Sequence, residues 1–356
     1  MAAKYWLGTQ AITLTLDDVS KLGDEAARQF LAELRWGKVN QQVCPHCGAV
    51  DSHYYVRTQK RWRCKHCFDS FSLTSGTLLD NMKIGPRKLL MAIVAFSINQ
   101  KGLVALALRR IINVHYRTAF TLLHKIRESM LISAATTPKF SGTVEIDGGH
   151  FSGVPRKGRK KADNTAKKDI PKKYQQHRTK VKPTEENQFH PNRRIVMVLR
   201  ESFGEKGLGA SKTVVAICKA ETSANVEGLV KQYVERSSTI RSDELSAYGN
   251  LKLMGYVHET VNHSEEFSNP QGFNQNQAES YFSRMRRAAI GIYHRITPKY
   301  MLDYATEIAW REDVRRTDIL GQISQLAAGI FKAGVSADWC NYCRGNNRKT
   351  ELLFVG

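Results

Sequence analysis

Cys44-Pro45-His46-Cys47 and Cys64-Lys65-His66-Cys67 stand sixteen residues apart, and each pair offers two thiolates across one tight turn. Together they supply the four soft ligands of a closed tetrahedral zinc site, at a spacing typical of such sites. Tyr54, Tyr55, Val56, Trp62 and Arg63 between the pairs suit the short strands of a ribbon. So short a segment buries little core, and the metal would hold it, contributing on the order of 10 kcal/mol. Four thiolates leave no open position, which speaks against catalytic zinc. Redox dithiols or free buried cysteines would not explain two matched pairs. His46 and His66 could replace a thiolate or donate hydrogen bonds near the sulfurs. A third pair, Cys340 and Cys343, lacks a partner pair and reads as a metal half-site, an intermolecular contact or two ordinary thiols.

The second chemistry is acidic. Asp147 ends an apolar strand before Gly148-Gly149, which would let a ligand approach the backbone. Asp243 ends another strand, Ile240-Arg241-Ser242-Asp243, and Glu279 lies on a helix further on. A lone acid at a strand end is usually a turn-former or helix cap; the ordered set says more. Two Mg²⁺ ions roughly 3.5–4 Å apart can activate an attacking oxygen and stabilise the leaving oxygen of a phosphodiester. Such hard cations take carboxylate oxygens. Asp147 and Asp243 are candidates for shared ligation, with Glu279 completing the site. Glu145 shares a strand face with Asp147, and Asn276, one helical turn before Glu279, could supply the third oxygen instead.

Basic residues surround these acids in sequence. Arg286 follows Glu279 by two helical turns on one face, and Arg284 and Arg287 broaden that surface. They could hold DNA phosphates or form a solvated basic face. His263 could contact a phosphate or be structural. Ser264 has no visible triad.

The elements that must position these groups are legible in outline. The chain has 356 residues, with 54 Lys+Arg against 33 Asp+Glu, a net charge of +21. With 42% apolar residues it can build cores, so general disorder is excluded. The charge makes a polyanion the expected partner, nucleic acid ahead of a membrane surface. The apolar run Leu89 to Ile98 is about half a membrane span. The first twenty residues do not read as a signal peptide. A helix over Asp24 to Trp36 forms an N-terminal helical segment within residues 1–40. A zinc ribbon over 41–75 and a helix-turn-helix DNA-binding region over 85–135 follow.

In that region Leu103, Leu106 and Ala107 supply one apolar face, and Ile112-Asn113-Val114 makes the turn. Tyr116, Ala119, Leu122 and Leu123 form an inward stripe. His115, Arg117, Thr118 and Lys125 would point outward, where base contacts belong. A plain helical hairpin packed in a core is the alternative. From 140 to 316, strands at Thr143 to Asp147, Ile195 to Leu199, Thr213 to Cys218, Thr239 to Ser242 and Tyr256 to Val261 mix with helices. The helices run over Ser223 to Arg236, Asn276 to Ala289 and Pro298 to Arg316. This indicates a mixed sheet with helices on its faces, in an α+β / α/β multidomain chain. A basic insertion at 156–194 is a surface arm or a phosphate-tracking segment. Residues 317–356 read as a C-terminal tail carrying the third cysteine pair.

Taken together, these motifs resemble the bacterial insertion-sequence transposases of the zinc-ribbon DDE type, the ISXO-like group, from about Asp24 to Arg316. The marks are Leu34-Arg35-Trp36, the two cysteine pairs, Ser75-Gly76-Thr77 and Val144-Glu145-Ile146-Asp147. Ser242-Asp243, Val261-Asn262-His263-Ser264, Asn276-Gln277-Ala278-Glu279-Ser280, the arginines, Tyr304 and Trp310-Arg311 continue the pattern. The resemblance implies an RNase H-like mixed-sheet catalytic domain using Mg²⁺ or Mn²⁺. It implies cleavage at transposon ends, transfer of 3′ ends into target DNA, and a homo-oligomer on double-stranded DNA. It carries Asp147, Asp243 and Glu279 over to the metal-binding acids, with Asn276 as the alternative third ligand. One departure is Gly148, where the group usually has an acid. A cytoplasmic, nucleoid-associated protein without a membrane partner is expected. A zinc-ribbon DNA-binding regulator without catalysis would leave the acids unexplained, and an RNase H-like nuclease would hydrolyse DNA without joining it.

Overall fold

The computed structural model describes residues 8–38, 40–152, 193–204, 209–260, 276–345, 348 and 350–356. Two short helices come first, α1 (Leu16–Lys21) and α2 (Asp24–Trp36). Thr15 and Asp18 cap α1 reciprocally, each side chain accepting from the other's backbone N–H. Ala27, Leu31 and Ala32 form the buried stripe of α2.

The ribbon follows as an antiparallel sheet of β1 (His53–Val56), β2 (Arg61–Cys64) and β3 (Ser70–Phe71). Its small core is aromatic. Buried Trp62 stacks on Phe71 at 5.9 Å between centroids and meets Trp36 of α2 edge-on at 5.3 Å. The ribbon therefore has a platform as well as a metal site to hold it.

Pro86, pre-set for a first helical turn, opens α3 (Pro86–Ile98), which is buried on most sides. Then come α4 (Ala105–Ile112) and α5 (Tyr116–Ala135), separated by Asn113 in the left-handed conformation at φ 48°. The sequence expectation of an inward stripe holds for Ala119, Leu122 and Leu123, whereas Leu106 and Tyr116 are exposed.

The second sheet runs β6-β5-β4-β7-β8, from β4 (Thr143–Ser152), β5 (Arg193–Ser202), β6 (Ala210–Cys218), β7 (Thr239–Ser242) and β8 (Val257–Thr260). The first three are antiparallel; β4–β7 and β7–β8 are parallel. Alternation sends successive side chains to opposite faces. Val144, Ile146, Met197 and Leu199 pack on one face with α6 (Ser223–Tyr233). Val196, Val198 and Ile217 pack on the other with α7 (Asn276–Arg287) and α8 (Met301–Asp313). This is the mixed sheet flanked by helices that the pattern indicates.

Two expectations are corrected. Asp147 does not end its strand: β4 runs on through Gly148-Gly149, because β5 continues to pair with it as far as Ser152. The pairing that stops near Asp147 is with β7, whose register ends at Glu145↔Arg241. Nor is the segment after Arg316 only a tail. Ile323, Leu326, Ala327, Ile330 and Phe331 recur at helical spacing in α9 (Ile319–Lys332), and Asp318 caps it. These residues return to the N-terminal half and share one core with α2, α3, α4, α5 and the ribbon.

Candidate active site and metal centre

The zinc-ribbon cysteines converge as their spacing implies. Cys44 and Cys67 lie 3.7 Å apart between sulfurs, as do Cys47 and Cys64. All four sulfurs fall within 4.8 Å of one another. A tetrahedron with metal–sulfur bonds of about 2.3 Å has edges of about 3.8 Å, so the cluster fits zinc without rearrangement. The peptide N–H of His66 donates to the Cys64 sulfur at 3.4 Å. The four-cysteine cluster supports a structural zinc. Cys340, half-buried, accepts from the Asn81 side chain.

The acids are brought together by strand register. Thr143, Val144 and Glu145 of β4 sit beside Thr239, Ile240 and Arg241 of β7, running in the same direction. Two residues further on, Asp147 and Asp243 emerge at the same end of adjacent parallel strands. Asp147 Oδ1 accepts from Gly148 N at 2.7 Å, and Asp243 Oδ1 from Leu245 N at 3.1 Å. The Ser242 hydroxyl is buried beneath, within 2.8 Å of His258 Nε2, and donates to the Asp243 carbonyl at 2.9 Å. Carboxylate oxygens are the donors that hard divalent cations take, so this set suits such an ion. Glu279 is exposed on the first turn of α7. Among the described residues, only the four cysteines gather three or more potential ligands within range of a single ion. The acids are therefore spread more widely than a one-ion cage.

Glu145 has a specific task. Its Oε2 accepts from the backbone N–H groups of Gln277 and Ala278, at 3.0 and 3.2 Å, satisfying the amides at the start of α7. Directly across the sheet, Arg200 donates to the Gln277 carbonyl at 2.6 Å. The helix that carries Glu279 is thus pinned to the strand that carries Asp147. Burial pushes the Glu145 carboxyl up to about 7, outweighing those two amides.

Sequence reasoning missed Glu221 and Tyr248. Glu221 follows β6 and precedes Thr222, the N-cap of α6, so by sequence it reads as an ordinary acid at a helix start. In the fold its carboxylate accepts a hydrogen bond from the buried Tyr248 hydroxyl. Burial pushes Glu221 up to about 7 against that bond, and the nearby charges of Asp147 and Asp243 add to the rise. No signal along the chain links residue 221 to residues 147 and 243.

Of the basic residues, Arg284 pairs with Glu312 at 2.9 Å and remains partly exposed. Exposed Arg286 lies over the Phe151 and Phe282 rings, and exposed Arg287 donates to Ser283 at 2.9 Å. At the start of α5, His115 is the N-cap, accepting from Arg117 N; both are exposed and Thr118 is half-buried. Lys125 corrects the expectation of an outward group: only 1% exposed, its Nζ donates to the Asp80 carbonyl at 3.1 Å. The reason is that α5 is covered by both α4 and α9, so a residue two turns into it has no open side. His263, Ser264 and the basic insertion up to residue 192 lie outside the described residues, as does the side chain of Asn276.

Residues 139–313 match the model of the ISXO2-like transposase domain, and residues 22–70 that of a transposase zinc-ribbon domain. A Halobacterium salinarum protein, described as an uncharacterized protein in transposable element ISH50, is 26% identical over 270 residues. That alignment covers 75% of this chain and 83% of the relative. No solved structure matches. No helix among the described residues is long and apolar enough to cross a membrane.

Proposed function

Because the chain belongs to the ISXO2-like transposases, with a transposase zinc ribbon ahead of its DDE-type domain, we propose that it binds the ends of its own mobile element, cuts there and joins the 3′ ends to target DNA. The observation that carries this reading is the parallel register of β4 and β7, which sets Asp147 beside Asp243 inside the matched domain. Asp147, Asp243 and Glu279 would hold Mg²⁺ or Mn²⁺, with Asn276 as the alternative third ligand. When bound, such ions activate the attacking oxygen, of water and then of a DNA 3′ end, and stabilise the leaving oxygen.

The remaining residues bind and orient. Glu145 and Arg200 fix the start of α7 over β4, and in this reading that hold positions Glu279 for the metal. Arg286 and Arg287, exposed at the far end of that helix, take backbone phosphates of the DNA strand. His115, Arg117 and Thr118 at the start of α5 meet the element's end, acting as a helix-turn-helix. Pairing two DNA ends requires a homo-oligomer on DNA, and the sheet architecture is read as RNase H-like.

The test uses purified full-length protein, Mg²⁺, labelled DNA from either side of its own gene and a supercoiled target plasmid, with Asp243→Asn alongside. Joined products from the wild type alone are expected. Binding by a folded, zinc-loaded wild type with neither nicking nor joining would favour a DNA-binding regulator. Cleavage without joining would favour a nuclease.

A further inference from the structure

Gly148, the departure from the usual acid beside the first aspartate, has a physical cause in the fold. Its backbone is ordinary strand, paired with Met197 and without a positive φ, so conformation does not require glycine. Space does. A Cβ on Gly148 would lie 2.3 Å from Glu221 Oε2 and 2.5 Å from that residue's carboxyl carbon. A side chain at 148 and the Glu221 carboxylate compete for one volume, immediately beside Asp147.

Glu221 reaches that volume from the turn between β6 and α6, on the sheet face opposite the Glu145 side chain. Tyr248, itself 1% exposed, donates to Oε1 and fixes the carboxylate's orientation. Oε2 is the oxygen turned toward Gly148, and it takes no hydrogen bond from a described residue. The Asp147 carboxylate meets the same residue, its Oδ1 accepting from Gly148 N at 2.7 Å. Carboxylates from β4 and from the β6–α6 turn thus meet at Gly148, and Asp243 leaves the adjacent strand β7 at the same end of the sheet. A cation there would relieve their repulsion.

We propose that Glu221 is a fourth carboxylate of the divalent-metal site, standing in space where an acid at position 148 would otherwise stand. The inference rests on the reading of Asp147 and Asp243 as metal ligands. It makes Tyr248 a positioning residue, acting through Glu221, and it explains why Gly148 carries no side chain.

Mn²⁺ binding to the full zinc-loaded chain, followed by electron paramagnetic resonance and by calorimetry, tests this without DNA or turnover. Glu221→Gln keeps an acceptor for Tyr248 and nearly the same volume, so it should fold like the wild type. It is expected to weaken Mn²⁺ binding about tenfold or more, the scale on which metal sites respond to lost supporting groups. The exchange variant G148E/E221A returns a carboxylate to the same volume from the neighbouring strand and is expected to recover most of that loss. G148E alone, with both side chains present, should do worse than the exchange. If Glu221→Gln binds Mn²⁺ as the wild type does while Asp243→Asn does not, Glu221 is only a partner for Tyr248 and the inference falls. If Asp243→Asn also binds normally, the metal site itself is misassigned. Equal melting temperatures for Glu221→Gln and wild type in the absence of Mn²⁺ would tie its loss of binding to the metal site.

Discussion

Arg127 on α5 and Glu307 on α8, 180 residues apart in sequence, form a buried ion pair with Nε 2.6 Å from Oε2. Glu307 also accepts from Arg311, whose own NH1 donates to the Phe96 carbonyl of α3, and from the Tyr293 hydroxyl. A turn away, His124 of α5 meets Asp303 of α8, which Arg348 grips with two hydrogen bonds at 3.0 and 3.1 Å. The helix whose start is the proposed DNA reader is therefore joined along its body to the helix layer that backs the catalytic sheet. On the proposed reading, DNA held at one end of α5 would act against a stiff joint to the other domain.

Breaking that joint from one side should be costly. Removing either partner leaves a buried charge uncompensated, an effect of about 3–5 kcal/mol. Glu307→Gln and Arg127→Met are each expected to lower stability by about that much in chemical denaturation. The double variant should not recover fully, because Arg311 still faces the altered position. Losses below about 1 kcal/mol for both single variants would mean that the pair is not closed in solution.

Glu145 should act through α7 and not through stability alone. Glu145→Gln keeps an oxygen for the Gln277 and Ala278 amides, so cleavage near that of the wild type is expected. Glu145→Leu leaves both amides without an acceptor, at about 1–3 kcal/mol, and frees the helix start that carries Glu279. Its strand cleavage should fall at least about tenfold while the protein stays folded. Equal cleavage by the two variants would separate Glu145 from the positioning of Glu279.

The sheet, the ribbon and the order of the acids were legible because each depends on local pattern. Short apolar runs marked β4, β5 and β6, and the matched Cys-x-x-Cys pairs marked the metal site. Burial set by distant segments was not legible. Lys125 looks like a surface residue until α9 is known to lie over α5, and α9 itself follows a polar stretch that reads as a domain end. Glu221 lacked any signal, since its meaning arises from an empty volume at Gly148, and an absent side chain leaves no periodicity. β4 is longer than its apolar run indicates because pairing with β5 holds Gly148-Gly149 extended as far as Ser152.

Stability should depend on pH with two limbs of opposite sign. Burial lowers His124 to about 4 against its hydrogen bond to Asp303, with the Arg127 and Arg348 charges helping to keep the ring neutral. A folded-state pKa below the unfolded value means stability present above about 6.5 and lost as pH falls toward 4, on the order of 3 kcal/mol. Burial raises Asp313 to about 7 despite its bonds from Thr213. Its contribution is present below the unfolded pKa and is lost as pH rises through about 7. Denaturation curves across pH 4 to 8 are expected to lose the acid limb in His124→Gln and to flatten toward neutrality in Asp313→Asn. An unchanged acid slope in His124→Gln would mean that another group drives it.

Arg117 and Lys125 lie two helical turns apart on α5, yet the fold exposes one and buries the other. Arg117 is exposed beside the capping His115, so a phosphate can reach it, while Lys125 spends its charge on the Asp80 carbonyl inside the protein. Neutralising one phosphate contact reduces the slope of log affinity against log salt by about 0.9. Arg117→Ala should therefore weaken binding to element-end DNA and lower that slope by about one unit, with little change in melting temperature. Lys125→Met should leave the slope unchanged and alter only stability, since its ammonium never meets solvent. A reduced salt slope in Lys125→Met would require α9 to move off α5 when DNA binds, exposing a face that this structure keeps closed.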